Sequence, residues 1–313
     1  MLTFIARRLF ATIPVIGMVA IFVFLMLRLT PGDPAAVIAG DYASEAQIAE
    51  IREKLGLSKP LLEQFFIWSG RAIQGDFGES FFFKRTVAEL IQQRLEPTLA
   101  LALATLFIAI IVAVPLGVVA AYRHGTWIDR LTMGFSVMGF SVPVFVIGYV
   151  LIYFFAVQWK LLPVQGYSRI SEGFLPFIER LILPAITLSV IYIALIARIT
   201  RASVLEVLGE DYIRTARAKG LEERKVLIRH ALRNAAVPIV TVIGIGIALL
   251  IGGVVVTESV YAIPGLGRLT VDAVLGRDYP TIQAVILMFS FVYVMINLVI
   301  DIAYTLFDPR IRY

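Results

Sequence analysis

Six predominantly apolar runs of 17 to 27 residues limit what this chain can fold into more than any other feature. They cover residues 9–27, 99–122, 131–157, 181–199, 237–256 and 284–300. A bilayer core about 30 Å thick takes about 20 residues of α-helix, and in lipid every backbone N–H and C=O must find its partner inside the segment. Each run therefore predicts a transmembrane helix. The fold class is all-α and polytopic, with six spans. Hydrophobic residues make up 59% of the chain and charged residues 16%, against roughly 45–50% and 25% in soluble domains. That surplus requires a second apolar solvent. The first run follows Arg7 and Arg8, as a secretory signal would. Its 19 uncharged residues exceed the roughly 7–15 of a signal core, however, and no small-x-small site follows. It reads as an uncleaved anchor.

Charge sets the orientation. With the N-terminus inside, cytoplasmic segments hold fifteen Lys/Arg, among them Arg7, Arg8, Arg123, Arg130, Arg310 and Arg312, against seven acids. The positive-inside bias places both termini in the cytoplasm. The net charge of +5 is modest and acids are mixed among the bases, unlike the one-sign block of a nucleic-acid arm. No nucleic-acid partner is expected. The chain has no cysteine, hence no disulfide, thiolate metal site or thiol nucleophile. His124 and His230 lack a partner at ligand spacing, so no metal is expected. Lys219 and Gly220 lack the upstream glycine of a phosphate loop, and Gly265 and Gly267 lack the following Lys-Ser/Thr. No cofactor and no catalytic residue are assigned.

Residues 31–96 separate the first two runs. Pro31 and Pro34 stop the first helix. Ser44 with Gln47 has the spacing of a capping box and opens a helix to about Leu55. Gly56 to Pro60 breaks it. Residues 61–73 form a surface helix with Leu62, Phe65, Phe66 and Ile73 apolar, and residues 74–78 form a tight turn. This segment reads as a helical cap on the extracytoplasmic side.

Between the fourth and fifth runs lies a charged loop with nine Lys/Arg from Arg198 to Arg233. Glu210 and Asp211 suit the positive end of a helix dipole, and Gly220 permits the left-handed residue that ends a helix. The short helix 211–218 is polar all round, which favours docking to a protein. A second helix, 222–234, has Val226, Leu227 and Leu232 on one side and Arg224, Lys225, Arg229 and Arg233 on the other. That pattern also fits an amphipathic helix on anionic lipid.

At Arg214 to Gly220 the spacing resembles the EAA-type motif of ABC importer permeases, the loop that seats in a cytoplasmic ATPase. Arg214, Thr215 and Ala216 stand where that pattern has Glu-Ala-Ala, and Gly220 stands at its fixed glycine. Further motifs resemble the dipeptide/oligopeptide/nickel (also glutathione) subfamily: TPGDP at 30–34, LGLSKP at 55–60, GDFG at 75–78, TRAS at 200–203, EDYIRTARAKG at 210–220, HALRN at 230–234, PGLGR at 264–268, RDYP at 277–280 and DPRIRY at 308–313. The general motif closes with Ile-x-Leu-Pro; here the stretch is HALR, with proline only at Pro238. The resemblance implies a type I ABC importer permease of the bacterial inner membrane. Its expected partners are a homologous second permease, two cytoplasmic ATPases, an extracytoplasmic substrate-binding protein and membrane lipid. Residues 1–96 would form the first span with the extracytoplasmic segment, and residues 97–313 the permease core with the coupling loop 200–234. Asp211, Tyr212, Arg214, Thr215, Ala216, Arg217, Ala218, Lys219 and Gly220 would couple to the ATPase. ATP hydrolysis belongs to partner subunits, and the cargo is a peptide, with glutathione or a nickel chelate as alternatives.

For the pore, Gly244, Ala248 and Gly252 recur every four residues and suggest a close helix seam, for packing or for lining the path. Asn297 is a candidate for helix–helix hydrogen bonding. Arg28, Arg198, Glu258 and Asp301 lie near span ends and are expected to snorkel. An ion-driven secondary transporter or channel, the alternative class, would show paired intramembrane charges or broken helices in inverted repeats. The sequence displays neither.

Overall fold

The structure is a computed structural model that describes residues 2–29, 33–40, 43–54 and 56–307. Residues 30–32 and Leu55 of the motifs above, and the closing 308–313, lie outside the described residues, as do the side chains of Arg7, Arg8, Arg28 and Asp301. In chain order the helices are α1 (Leu2–Leu29), α2 (Pro34–Ala39), α3 (Glu45–Lys54), α4 (Leu61–Ile73), α5 (Val87–Tyr122), α6 (Trp127–Ser141) and α7 (Val144–Leu151). There follow α8 (Phe174–Leu208), α9 (Asp211–Ala218), α10 (Glu223–Lys225), α11 (Ala236–Val260), α12 (Leu266–Leu275) and α13 (Tyr279–Phe307). Helix α7 continues as a π-helix over Ile152–Gln158, and α10 as another over Val226–Leu232. Two compact units divide the chain: Met1–Glu96 with Gly265–Met295, and Pro97–Pro264 with Ile296–Tyr313. Residues 265–295 thus group with the N-terminal part, where the sequence kept 97–313 together.

In the first unit, local chemistry sets the helix ends. Asp33 accepts from Ala35 N at 3.1 Å with Pro34 at the first helical position, where its missing N–H costs nothing. Ser44 and Gln47 close the reciprocal capping box, Ser44 N to Gln47 Oε1 at 2.9 Å and Gln47 N to Ser44 Oγ at 3.4 Å. Phe24 of α1 meets Phe65 of α4 edge-on at 5.2 Å. Leu90, Leu266, Leu269 and Val285 form a small apolar core.

The second unit is built around α8, the most buried of the long apolar helices. Glycines let its neighbours approach closely. A Cβ at Gly117 of α5 would sit 2.6 Å from Thr200 Cβ, one at Gly139 of α6 2.9 Å from Ala194 Cβ, and one at Gly253 of α11 2.7 Å from Leu188 Cδ1. Leu188, Ile196, Tyr192, Leu101 and Tyr261 lie in the resulting core.

Among the described residues, four helices are each long and apolar enough to cross a membrane: Val87–Tyr122, Phe174–Leu208, Ala236–Val260 and Tyr279–Ile300. The apolar part of α1, Phe10–Met26, is shorter. The expected third span, 131–157, is not one helix; α6 and α7 meet at 104°. Pro143 has no N–H to continue the ladder, and Val142 before it is extended at φ −94° and ψ 123°, as a residue preceding proline prefers. Helix α6 runs antiparallel along α8, where Asp129 bonds Arg201 and Gly139 abuts Ala194, and α7 turns off that line with Gly148 against Thr187. Together the two halves are long and apolar enough for a broken span or a re-entrant loop.

The helix expected over 222–234 is also not regular. Within it the buried residues are Val226 and Ala231, five apart, followed by Ala235. That spacing is the i→i+5 winding of a π-helix, so Ala231 faces inward and Leu227 and Leu232 are only half-buried.

Candidate coupling surface

Helix α9 follows α8 after a single break at Gly209 and Glu210. Its C-terminus is a Schellman motif. Leu221 N bonds Ala216 O at 3.3 Å and Gly220 N bonds Arg217 O at 2.9 Å, with Gly220 at φ +79°, as the fixed glycine requires. Contrary to expectation, the helix is not polar all round. Ile213 is fully buried and Ala216 is 9% exposed, three residues apart and therefore on one face. That face packs toward the π-helix 226–232. On the opposite stripe Asp211, Tyr212, Thr215, Ala218 and Lys219 are all exposed.

Two of the expected coupling residues have internal duties. Arg217 makes a paired contact to Glu223, Nε to Oε1 at 2.8 Å and Nη2 to Oε2 at 3.3 Å, and so ties α9 to α10. Ala216 is inward, and its carbonyl closes the cap. Arg214 lies over Asp211 at 3.3 Å with both side chains in solvent. Partial burial, and to a lesser degree the Glu210 carboxylate, push the Tyr212 phenol above its usual range; a hydrogen bond with Asn234 opposes them. Tyr212 stays a neutral donor with an exposed ring, the kind of side chain that anchors interfaces.

The pore candidates separate. Gly244 is buried, its absent Cβ only 2.4 Å from Ile300 Cδ1, whereas Gly252 is exposed with nothing within 4 Å, and Ala248 is half-buried. These three do not form one seam within the chain. The close approach to α8 uses Gly246 and Gly253, seven apart, against Tyr192 and Leu188. Asn297 is exposed. Glu258 does not snorkel; it is fully buried and accepts from Thr98 Oγ1 at 2.5 Å. Arg198 is exposed and stacks over Phe140 at 5.5 Å.

One cluster escaped the sequence. Asp129, 4% exposed, accepts from Arg201 through both carboxylate oxygens, Nε to Oδ1 and Nη2 to Oδ2 at 2.8 Å. Gly125 N adds a bond at 2.9 Å, and His124 Nδ1 lies 3.1 Å away. His124 and Asp129 read as loop charges, and Arg201 only as part of the TRAS motif. A lone acid in the first turn of an apolar helix was the signal available.

Residues 113–313 match the family model described as binding-protein-dependent transport system inner membrane component, and residues 1–102 match the N-terminal model of such membrane components. The chain belongs to this family. As a binding-protein-dependent transport permease it is a multi-pass protein of the bacterial cytoplasmic membrane. It is 58% identical over 99% of both chains to a probable peptide ABC transporter permease, y4tP, of Sinorhizobium fredii. It is 44% identical over 100% of both to the glutathione transport system permease protein GsiC of Escherichia coli K12. Its fold resembles a chain of the MetNI methionine ABC transporter in an inward-facing conformation, with TM-score 0.58 over 70% of this chain and 96% of that one, at 19% identity.

Proposed function

We propose that the chain is the permease subunit of an ATP-driven importer that carries peptides by alternating access. Its partners are a homologous permease, two cytoplasmic ATPases and an extracytoplasmic binding protein. Peptide is favoured because the 58% identical relative is named a probable peptide permease; glutathione, itself a small peptide, is the second reading, from the 44% identical relative. The observation that carries the coupling role is α9 itself: a capped helix at the end of α8 with one face buried and Asp211, Tyr212, Thr215 and Lys219 exposed opposite. ATP hydrolysis falls to the partner subunits. The break at Pro143 and the buried Glu258 are features an ion-driven transporter would also have, and family membership decides against that class. In vesicles holding the complete complex, uptake of a labelled tripeptide should need both ATP and loaded binding protein and should survive collapse of ion gradients. Uptake that follows an ion gradient without ATP would overturn the reading. Glutathione competing better than alanine tripeptides would move the cargo to the second reading.

The same reading puts α9 and the α5–α6 turn in the cytoplasm. Single cysteines at Arg123 and Lys219 in this cysteine-free chain should resist an impermeant maleimide until cells are opened, while one at Glu172 should label in intact cells. Labelling of Lys219→Cys in intact cells would reverse the orientation. Asp41 and Tyr313, natural markers for the two sides, lie outside the described residues.

A further inference from the structure

The buried Asp129–Arg201 pair is not explained by packing alone. Its members come from two elements: Asp129 from the first turn of α6, immediately after the α5–α6 turn, and Arg201 from α8 ten residues before α9 begins. From Arg201 to the end of α8 is about 10 Å of helix. Arg201 is the charged residue of the TRAS motif, which the docking surface does not use. Its planar fork engages both oxygens of Asp129, an arrangement that fixes relative orientation as well as distance. The turn is fixed too, because Gly125 N and His124 Nδ1 bond the same oxygen. Arg201 Nη2 also lies 3.0 Å from the same His124 Nδ1, which closes the cluster.

Deeper along α8 the contacts leave no slack. Gly117 meets Thr200 and the Ala197 carbonyl, and Gly139 meets Ala194, at distances a methyl group would not fit. The corner of α5 and α6 is therefore held to α8 by backbone-close crossings inside the apolar layer and by the ion pair at its edge. Resting on the importer reading above, we infer that Asp129 and Arg201 are positioning residues for the transport stroke: they bind the α5–α6 corner to α8, so that displacement of α9 moves the bent pair α6–α7 as one body with α8. Without the pair, α8 turns against α6 and the stroke is lost between the coupling helix and the span that bends at Pro143.

The test uses the complete complex in vesicles and reads the ratio of ATP hydrolysis with loaded binding protein to hydrolysis without it, per assembled complex. A purely structural role changes the number of complexes and leaves this ratio unmoved. Asp129→Asn and Arg201→Lys should lower the ratio at least about fivefold, the lower end of ordinary coupling between sites. The exchanged pair, Asp129→Arg with Arg201→Asp, should recover part of it. Should a single variant assemble poorly, the ratio is read on the complexes that do form and on the exchanged pair. An unaltered ratio in Asp129→Asn or Arg201→Lys overturns the inference, and so does a loss confined to abundance. Absence of any stimulation in the unmodified complex would be a different failure, that of the importer reading itself.

Discussion

Replacing Gly220 with valine should cut binding-protein-stimulated ATP hydrolysis and peptide uptake by about tenfold or more, within the range of coupling energies between sites, while the permease remains inserted at normal abundance. The reason is conformational. Gly220 sits at φ +79°, and nothing lies within 4 Å of where its Cβ would be, so there is room for a side chain but not for its backbone preference. A left-handed conformation costs an ordinary residue roughly 1–2 kcal/mol, more for a β-branched one. Relief comes from unwinding the cap, which frees the Ala216 and Arg217 carbonyls and turns the exposed stripe of α9 away from its partner. Asparagine tolerates this region, so Gly220→Asn should keep most activity. Valine and asparagine of equal effect would mean that space, not conformation, matters there. Tyr212→Ala should weaken ATPase co-purification directly. Ala216→Asp places a charge on the buried face and should lower abundance as well, so it is the poorer probe of docking. A lipid-lying helix predicts another pattern: charge reversal at Arg224 and Lys225 would dominate, and ATPase co-purification would survive changes at Tyr212 and Gly220. Uptake and stimulated hydrolysis at parental level in Gly220→Val would remove α9 from the transmission path.

Much of this architecture is written in local sequence. The apolar runs fix helices because lipid offers the backbone no other partner, and the caps at Asp33, Ser44 with Gln47, and Gly220 follow from single side chains or their absence. What depended on one helix was legible: α9 starts and stops where Asp211 and Gly220 say. What stayed hidden depends on a second element. The bend at Val142 and Pro143 competes with a predominantly apolar run of 27 residues that reads as a continuous span, and only the packing against α8 shows that the chain tolerates the break. The inward face of α9 rests on just Ile213 and Ala216, too few to read as a periodic stripe in eight residues. A π-helix shifts burial from Leu227 and Leu232 to Ala231, and no residue type announces i→i+5 winding. The small residues Gly244, Ala248 and Gly252 suggested a seam by spacing alone, yet the close approach to Leu188 of α8 is made at Gly253. Asp129 and Arg201 are 72 residues apart, and nothing local links them.

Gly117→Ala should destabilise the assembled permease by roughly 1–3 kcal/mol, the usual cost of added volume in a packed contact. The obstruction there is the least forgiving in the second unit: Thr200 Cβ at 2.6 Å and the Ala197 carbonyl at 2.7 Å, both on or next to backbone, so no rotamer change makes way. Helices α5 and α8 must separate, and in lipid that loss falls on close van der Waals contact, the main force holding helices together there. Gly139→Ala meets the Ala194 methyl at 2.9 Å, with the Val190 carbonyl further off at 3.4 Å, and should cost less. Gly134→Ala, on the exposed side of α6 with nothing within 4 Å, should be neutral or gain a few tenths of a kcal/mol from helix propensity. Thermal aggregation of the detergent-solubilised complex gives the order: Gly117→Ala lowest, Gly139→Ala between, Gly134→Ala at or above the parent. If the helices do separate at Gly117, the Asp129–Arg201 contact next to that crossing should loosen with them, and stimulated hydrolysis should fall further than the lost stability alone accounts for. A melting midpoint for Gly117→Ala equal to that of Gly134→Ala would show that α5 and α8 do not cross as closely as 2.6 Å implies.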